Sequence, residues 1–264
     1  MHIIITGGNQ GIGFYLTEHL LELGNHVTVL DVEITELLKL KEKYPAQLLP
    51  VICDVRNKDG IQEAVRMSVT NYGDIDIAIH NACLCTFGPM KDTDCTVYEE
   101  VFHVNYFGAL RLAKGVVTYI EALGYRPTHK TVKERKAGKG KVIFTSSGVG
   151  IMGFPDISPY ASSKGAIESL AKCLNLEYMD KGIRFQLIHP PLTRTRSAAP
   201  LPVPRDFMAD PKAVGYGLAG RINKDSFYIC HSAGQQLQTA LCYLFPVKMG
   251  RSMSALLKRK QNMT

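Results

Sequence analysis

A tyrosine and a lysine stand at a spacing that suits proton transfer to or from an oxygen. Tyr160 and Lys164 are four residues apart in the run Tyr160-Ala161-Ser162-Ser163-Lys164. On a helix that separation puts both side chains on one face. Free tyrosine titrates at about 10, too high for an efficient base near neutral pH. The ammonium is therefore expected to favour the phenolate and lower the tyrosine pKa. Ser147 precedes the tyrosine by thirteen residues. Its hydroxyl can hydrogen-bond the same substrate oxygen and stabilise charge developing there.

A second group of residues suits a phosphate. The run Thr6-Gly7-Gly8-Asn9-Gln10-Gly11-Ile12-Gly13 follows an apolar segment and opens a helical one. Glycines allow a tight turn and close approach of a ligand. The free N–H groups and positive dipole end of the following helix suit a pyrophosphate. The next apolar segment ends at Asp31, whose carboxylate would accept hydrogen bonds from an adenosine ribose and repel a 2′-phosphate. Neither Gln10 nor Val32 supplies a cation for that phosphate, so NAD is expected in preference to NADP.

The elements that must carry these residues read as an alternation. Short runs rich in Ile, Val and Leu occupy 2–6, 26–31, 48–52, 75–80, 141–146, 183–188 and 226–230. Helix-period segments lie at 11–23, 33–43, 57–71, 96–123, 158–180 and 211–223. Continuous apolar runs suit strands buried on both faces, and the alternation reads as right-handed βαβ units. The expected fold is α/β: a single-domain Rossmann fold over 1–264, with a core at 2–230 and a doubly wound parallel sheet of about seven strands. A C-terminal helical extension at 234–260 follows, with helices at 235–245 and 249–260 broken at Pro246. The segment 191–210 is rich in proline and is read as a loop closing over the substrate.

Together the Thr-Gly-x-x-x-Gly-Ile-Gly turn, Ser147 and Tyr160-x-x-x-Lys164 resemble the short-chain dehydrogenase/reductase family, from residue 2 to about 224. The resemblance implies hydride transfer between a nicotinamide cofactor and an alcohol or ketone, with Ser147, Tyr160, Lys164 and Asn105 as the catalytic set. It adds a nicotinamide-ribose contact for Lys164 and a relay water held by Asn105. It implies cofactor contacts from Gly7, Asn9, Gln10, Gly11, Ile12, Gly13 and Asp31, and from Asp54 and Val55 at the adenine. Asn81, Ala82, Cys83, Pro190, Thr193 and Thr195 complete that set. The chain departs from the family pattern at His80 and Cys83, which replace Asn and Gly, and at Pro191, which replaces a Gly and removes an N–H. A homodimer or homotetramer through the helices of Asn105 and Tyr160 is implied as well.

Composition narrows the alternatives. The chain has 264 residues, is 45% hydrophobic and 21% charged, and carries a formal charge of +7, which excludes a disordered or low-complexity protein. Residues 126–141 carry +6 and residues 248–260 carry +5, leaving the body at −4. The basic segment at 124–140 is longer than the resemblance predicts and is read as a solvated loop rather than a nucleic-acid site. The C-terminal tail is expected to pack on the domain or another subunit, ahead of peripheral contact with a membrane. Seven cysteines without regular spacing predict free thiols in a reducing cytoplasm and no metal site, while His80, His103 and His189 read as structural. No basic leader precedes Ile3-Ile4-Ile5, so no secretory signal is expected. Cys85, Phe87, Val149, Phe154, Leu192, Leu201 and Phe207 are expected around a hydrophobic substrate. The rival functional reading is a dinucleotide-sensing protein without turnover.

Overall fold

The computed structural model describes residues 1–122, 140–201 and 203–261. The basic segment 124–140 lies outside them apart from Gly140. Among the described residues, seven parallel strands form one sheet in the order β3-β2-β1-β4-β5-β6-β7. These are β1 (His2–Thr6), β2 (His26–Asp31), β3 (Leu48–Ile52), β4 (Ile77–His80), β5 (Gly140–Thr145), β6 (Ile183–Ile188) and β7 (Tyr228–Ile229). The Rossmann architecture is as expected. The fourth strand begins at Ile77 rather than residue 75, and the last is only two residues long, since Tyr228 and Ile229 alone pair with Leu187 and Ile188 of β6. Pro50 sits in β3, the opposite edge, where a missing N–H is tolerated.

Helices cover both faces: α1 (Gly11–Glu22), α2 (Thr35–Lys43), α3 (Lys58–Tyr72), α4 (Cys95–Ala122), α5 (Gly148–Met152), α6 (Ser158–Tyr178), α7 (Pro211–Ala219), α8 (Ala233–Leu244) and α9 (Pro246–Gln261). Alternate strand residues feed two cores. Ile4, Leu30, Ala78, Phe144 and Phe185 pack with α3, α4 and α6, whereas Ile3, Ile5, Val29, Ile79 and Ile143 pack with α1, α2 and α7. Each fully buried Ile, Leu, Val or Phe among them contributes about 1.5–3 kcal/mol of hydrophobic stabilisation, which is why these strands read as apolar runs. The short α5 has no helical periodicity in Gly-Val-Gly-Ile-Met and was not expected. The last helix starts at Pro246, not at 249, since proline lacks the N–H that a first helical turn leaves unpaired.

The strand order reverses between β1 and β4, which opens a crevice at the carboxyl ends of those strands. Thr6 Oγ1 accepts from the N–H groups of Asn81 and Ala82 at 3.2 Å each, and Asn81 Nδ2 donates to the Gly7 carbonyl at 2.7 Å. These bonds clamp the glycine turn to the end of β4. Gly7 has φ +70, and a Cβ there would lie 2.5 Å from Ala82 Cα. A Cβ on Gly13 would lie 2.1 Å from the Gly7 carbonyl oxygen.

Because that obstacle is backbone, Gly13→Ala should lose about 1–3 kcal/mol or more in equilibrium denaturation. Gly234→Ala, at a helical position with open space around it, should stay level or gain up to about 1 kcal/mol.

Candidate active site

One cavity of about 660 Å³ occupies the crevice. At one end it is lined by Gly7, Gln10, Gly11, Ile12, Asp31, Asp54 and Val55. It passes Asn81, Ala82 and Cys83 and reaches Ser147, Tyr160, Lys164, Pro190, Thr193 and Thr195. Three residues of the expected set support it from behind instead. Asn9 Oδ1 accepts from the N–H groups of Glu36 and Leu37 at the start of α2, and its own N–H donates to Asp31 Oδ2 at 2.9 Å. Gly13 allows α1 to close onto the turn. Asn105, fully buried, accepts from Leu84 N–H at 2.8 Å and donates to the Leu84 carbonyl and Ser163 Oγ. Both Nδ2 protons are thus used inside the protein, and the asparagine ties α4 to the strand β4 exit and to the catalytic helix.

A dinucleotide fits these residues. The glycine turn is a cradle that side chains would fill, and Thr195 closes over it, since a Cβ on Gly11 would meet Thr195 Cγ2 at 3.1 Å. At the far end, Asp31 and Glu33 present two carboxylates to the cavity. Arg56, the cation nearest Asp54, is committed to it in a two-pronged pair at 2.9 and 2.7 Å. That pair holds the Asp54 carboxyl below its ordinary pKa.

Tyr160 and Lys164 lie where α6 meets the end of β5. Lys164 is fully buried, and its Nζ donates to the Thr145 carbonyl at 2.7 Å. The ammonium stands 5.5 Å from the centre of the Tyr160 ring. Burial lowers the lysine pKa. The tyrosine departs from the sequence expectation: its pKa is raised well above the ordinary value, by burial first and then by the Cys83 and Cys85 thiols, and hydrogen bonding to Ser147 only partly offsets this. The physical reason is desolvation, which penalises the phenolate more than its surroundings reward it. His80 is also buried. Its Nδ1 lies 3.0 Å from Thr6 Oγ1, and burial plus the Lys164 charge depress its pKa to about 3, so it is a neutral structural residue.

The substrate end is largely apolar. Cys85, Phe87, Val149, Phe154, Leu192 and Leu201 line it as expected. Phe207 does not, and is 44% exposed. The 191–210 loop folds around a cluster of Ala198, Val203 and Met208 against which Leu192 and Leu201 pack, and Ala198 and Val203 line the cavity with them. Residues that sequence reasoning missed close the wall. Gln235, Gln238, Thr239 and Cys242 of α8 and Met253 of α9 all reach the cavity. Gln235, Thr239 and Cys242 recur at helical spacing, which is the signal that could have identified them. The extension packs tightly on the body, since a Cβ on Gly250 would lie 2.8 Å from the Met152 carbonyl oxygen.

A buried network joins this wall to the catalytic helix. Glu168, one turn beyond Lys164, has its Oε1 3.0 Å from His189 Nε2. The Tyr243 hydroxyl of α8 donates to Glu168 Oε2 and lies 3.2 Å from His189 Nε2. Burial alone would raise the Glu168 pKa, but hydrogen bonds from His189 and Tyr243 outweigh it and hold the carboxyl below its ordinary value. All seven cysteines are free thiols, and no cluster among the described residues could hold a metal ion.

A parallel seven-stranded sheet with a glycine cradle at its switch point defines a dinucleotide-binding Rossmann protein. Residues 1–203 match the family model described as short chain dehydrogenase. The chain belongs to that family, whose members are in general NAD(P)-dependent oxidoreductases. It is 28% identical to a vibriobactin-specific 2,3-dihydro-2,3-dihydroxybenzoate dehydrogenase of Vibrio cholerae, over 73% of this chain and 70% of that one. It is 29% identical to a diacetyl reductase of Staphylococcus aureus, over 73% and 70% of the two chains. It is 25% identical to a mouse 3-ketodihydrosphingosine reductase, over 75% of this chain but only 58% of that enzyme. In fold it is similar to a solved short-chain dehydrogenase from Streptomyces avermitilis, with a TM-score of 0.75 at 19% identity, covering 99% and 98% of the chains.

The network makes a sign-definite prediction. Glu168 contributes stability that is full above its ordinary pKa of 4.5 and lost as pH falls through its lower folded value. Glu168→Gln should remove that part of the acid dependence in denaturation curves. Tyr243→Phe should cost about 1–3 kcal/mol at neutral pH by leaving a buried acceptor short of a donor.

Proposed function

We propose that this protein is an NAD-preferring oxidoreductase that interconverts a hydrophobic alcohol and its ketone. The observation that carries the reading is the opening of Ser147, Tyr160 and Lys164 into the same cavity as the glycine cradle and Asp31. When bound, the nicotinamide supplies or accepts the hydride. The Tyr160 hydroxyl gives or takes the proton at the substrate oxygen, and Ser147 hydrogen-bonds that oxygen and stabilises charge on it. Lys164, anchored by the Thr145 carbonyl, holds the nicotinamide ribose and keeps a positive charge beside the phenol. Asn105 positions both helices, and its Oδ1 keeps a lone pair for a relay water.

Asp31 and Glu33 favour NAD, since two carboxylates with the nearest arginine already paired repel a 2′-phosphate. Asp54 and Val55 would flank the adenine, and Pro190, Thr193 and Thr195 the nicotinamide. Thr193 Oγ1 already donates to the Pro191 carbonyl at 2.8 Å, so backbone groups and Thr195 carry more of the carboxamide contact. The apolar lining favours a hydrophobic substrate. Phe107 and Leu176, exposed on α4 and α6, support self-association through those helices.

A panel of alcohols and ketones, followed with NAD(H) and NADP(H) in parallel, tests the reading. Activity should be found with NAD, and a clear preference for NADP would defeat the argument from Asp31. On any accepted substrate, Tyr160→Phe should lose about 10²–10⁴-fold in kcat with NADH binding retained by fluorescence titration. Because burial raises the Tyr160 pKa, the phenol stays protonated through neutral pH. Ketone reduction should therefore hold its rate there, while alcohol oxidation, which needs the phenolate, climbs with pH.

A further inference from the structure

The extension has a second face that the active site does not use. On α8, Gln235, Thr239 and Cys242 are buried toward the body. Two residues round from Gln235, and so on the opposite side of the helix, Leu237, Leu241 and Leu244 form a ladder in solvent. Phe245 and Val247 continue it across the junction to α9. These five side chains are 37–68% exposed, and α8 itself contains no charged residue. The next exposed side chains are basic: Lys248, whose Nζ lies 5.7 Å from the Phe245 ring centre, and Arg251. No acidic residue follows Asp225, and the chain adds Lys258, Arg259 and Lys260 before it ends. No helix among the described residues is long and apolar enough to cross a membrane.

We propose that the exposed Leu237–Val247 ladder with Lys248 and Arg251 is a docking surface for the face of an anionic phospholipid bilayer. An apolar strip flanked by cations is what an interfacial helix needs: the leucines enter the acyl boundary and the cations meet the headgroups. Charge decides against a second copy as the occupant. A two-fold contact through this face would repeat Lys248 and Arg251 from both copies in one patch, with no acidic residue after Asp225 to pair them. The helix then serves two media. One side walls the apolar substrate cavity and the other rests on lipid, so a hydrophobic substrate dissolved in the bilayer meets the protein at the helix that encloses it.

Flotation of the full chain with vesicles tests this independently of turnover. Binding to mixed phosphatidylcholine–phosphatidylserine vesicles should exceed binding to phosphatidylcholine alone by about tenfold or more and fall as salt is raised. Leu241→Asp with Leu244→Asp should weaken it by about tenfold or more. Lys248→Ala and Arg251→Ala should each weaken binding to the anionic vesicles roughly fivefold. All of these variants should keep the wild-type melting temperature and NADH affinity, which separates lost docking from lost folding. Failure of the wild type to float with anionic vesicles overturns the proposal. So does flotation that both variant sets leave unchanged. A dimer in gel filtration that Leu244→Asp splits would assign the ladder to a second copy instead.

Discussion

The buried ammonium of Lys164 is the constraint around which the site is arranged. An unpaired charge in a protein interior costs several kcal/mol, so the lysine requires the Thr145 carbonyl at 2.7 Å, and that bond fixes where α6 sits against the end of β5. The seat is tight: a Cβ on Gly150 would lie 2.8 Å from Lys164 Cβ, so α5 approaches the catalytic helix only because its middle residue is glycine. Asn105 reaches the same helix through Ser163 from the other side. Glu168 adds a negative charge one turn on, which partly offsets the effect of burial on the lysine. The Tyr160 ring stands beside that ammonium, 5.5 Å from it, and lines the cavity.

The fold was legible because the forces that make it are local and repeated. Strands such as Ile3-Ile4-Ile5 are buried on both faces, and nothing but a covered parallel sheet explains unbroken runs of that kind at this spacing. The glycine turn was legible for a similar reason, since Gly7 and Gly13 answer backbone contacts that any side chain would violate and Gly11 takes a left-handed φ of +59. The spacing of Tyr160 and Lys164, one helical turn apart, matches their shared place on α6, and both line one cavity with Ser147.

What escaped the sequence depends on distance through space. Phe207 and Leu201 lie in the same proline-rich stretch and are both large and apolar, yet only Leu201 lines the cavity, where it packs with Val203 and Met208. Tyr243 gives no sign in the sequence that its hydroxyl ends beside Glu168, although Glu168 itself shares a helix face with Lys164. The direction of the Tyr160 shift was misread because the pairing with lysine is visible in the sequence and the depth of burial is not. Where the approach of an opposite charge and the loss of water compete, the sequence names the first and hides the second.

The family match ends at residue 203, but the cavity does not. Ser147, Tyr160, Lys164 and the glycine turn lie within the matched part, together with the apolar residues from Cys85 to Leu201, while Gln235, Cys242 and Met253 lie beyond it. The matched part carries most of the cavity, and the extension adds one wall to it. Tyr243 is the rivet between them. A lineage could recut the far wall for a new substrate, residue by residue, without disturbing the chemistry, provided that one hydroxyl still reached Glu168.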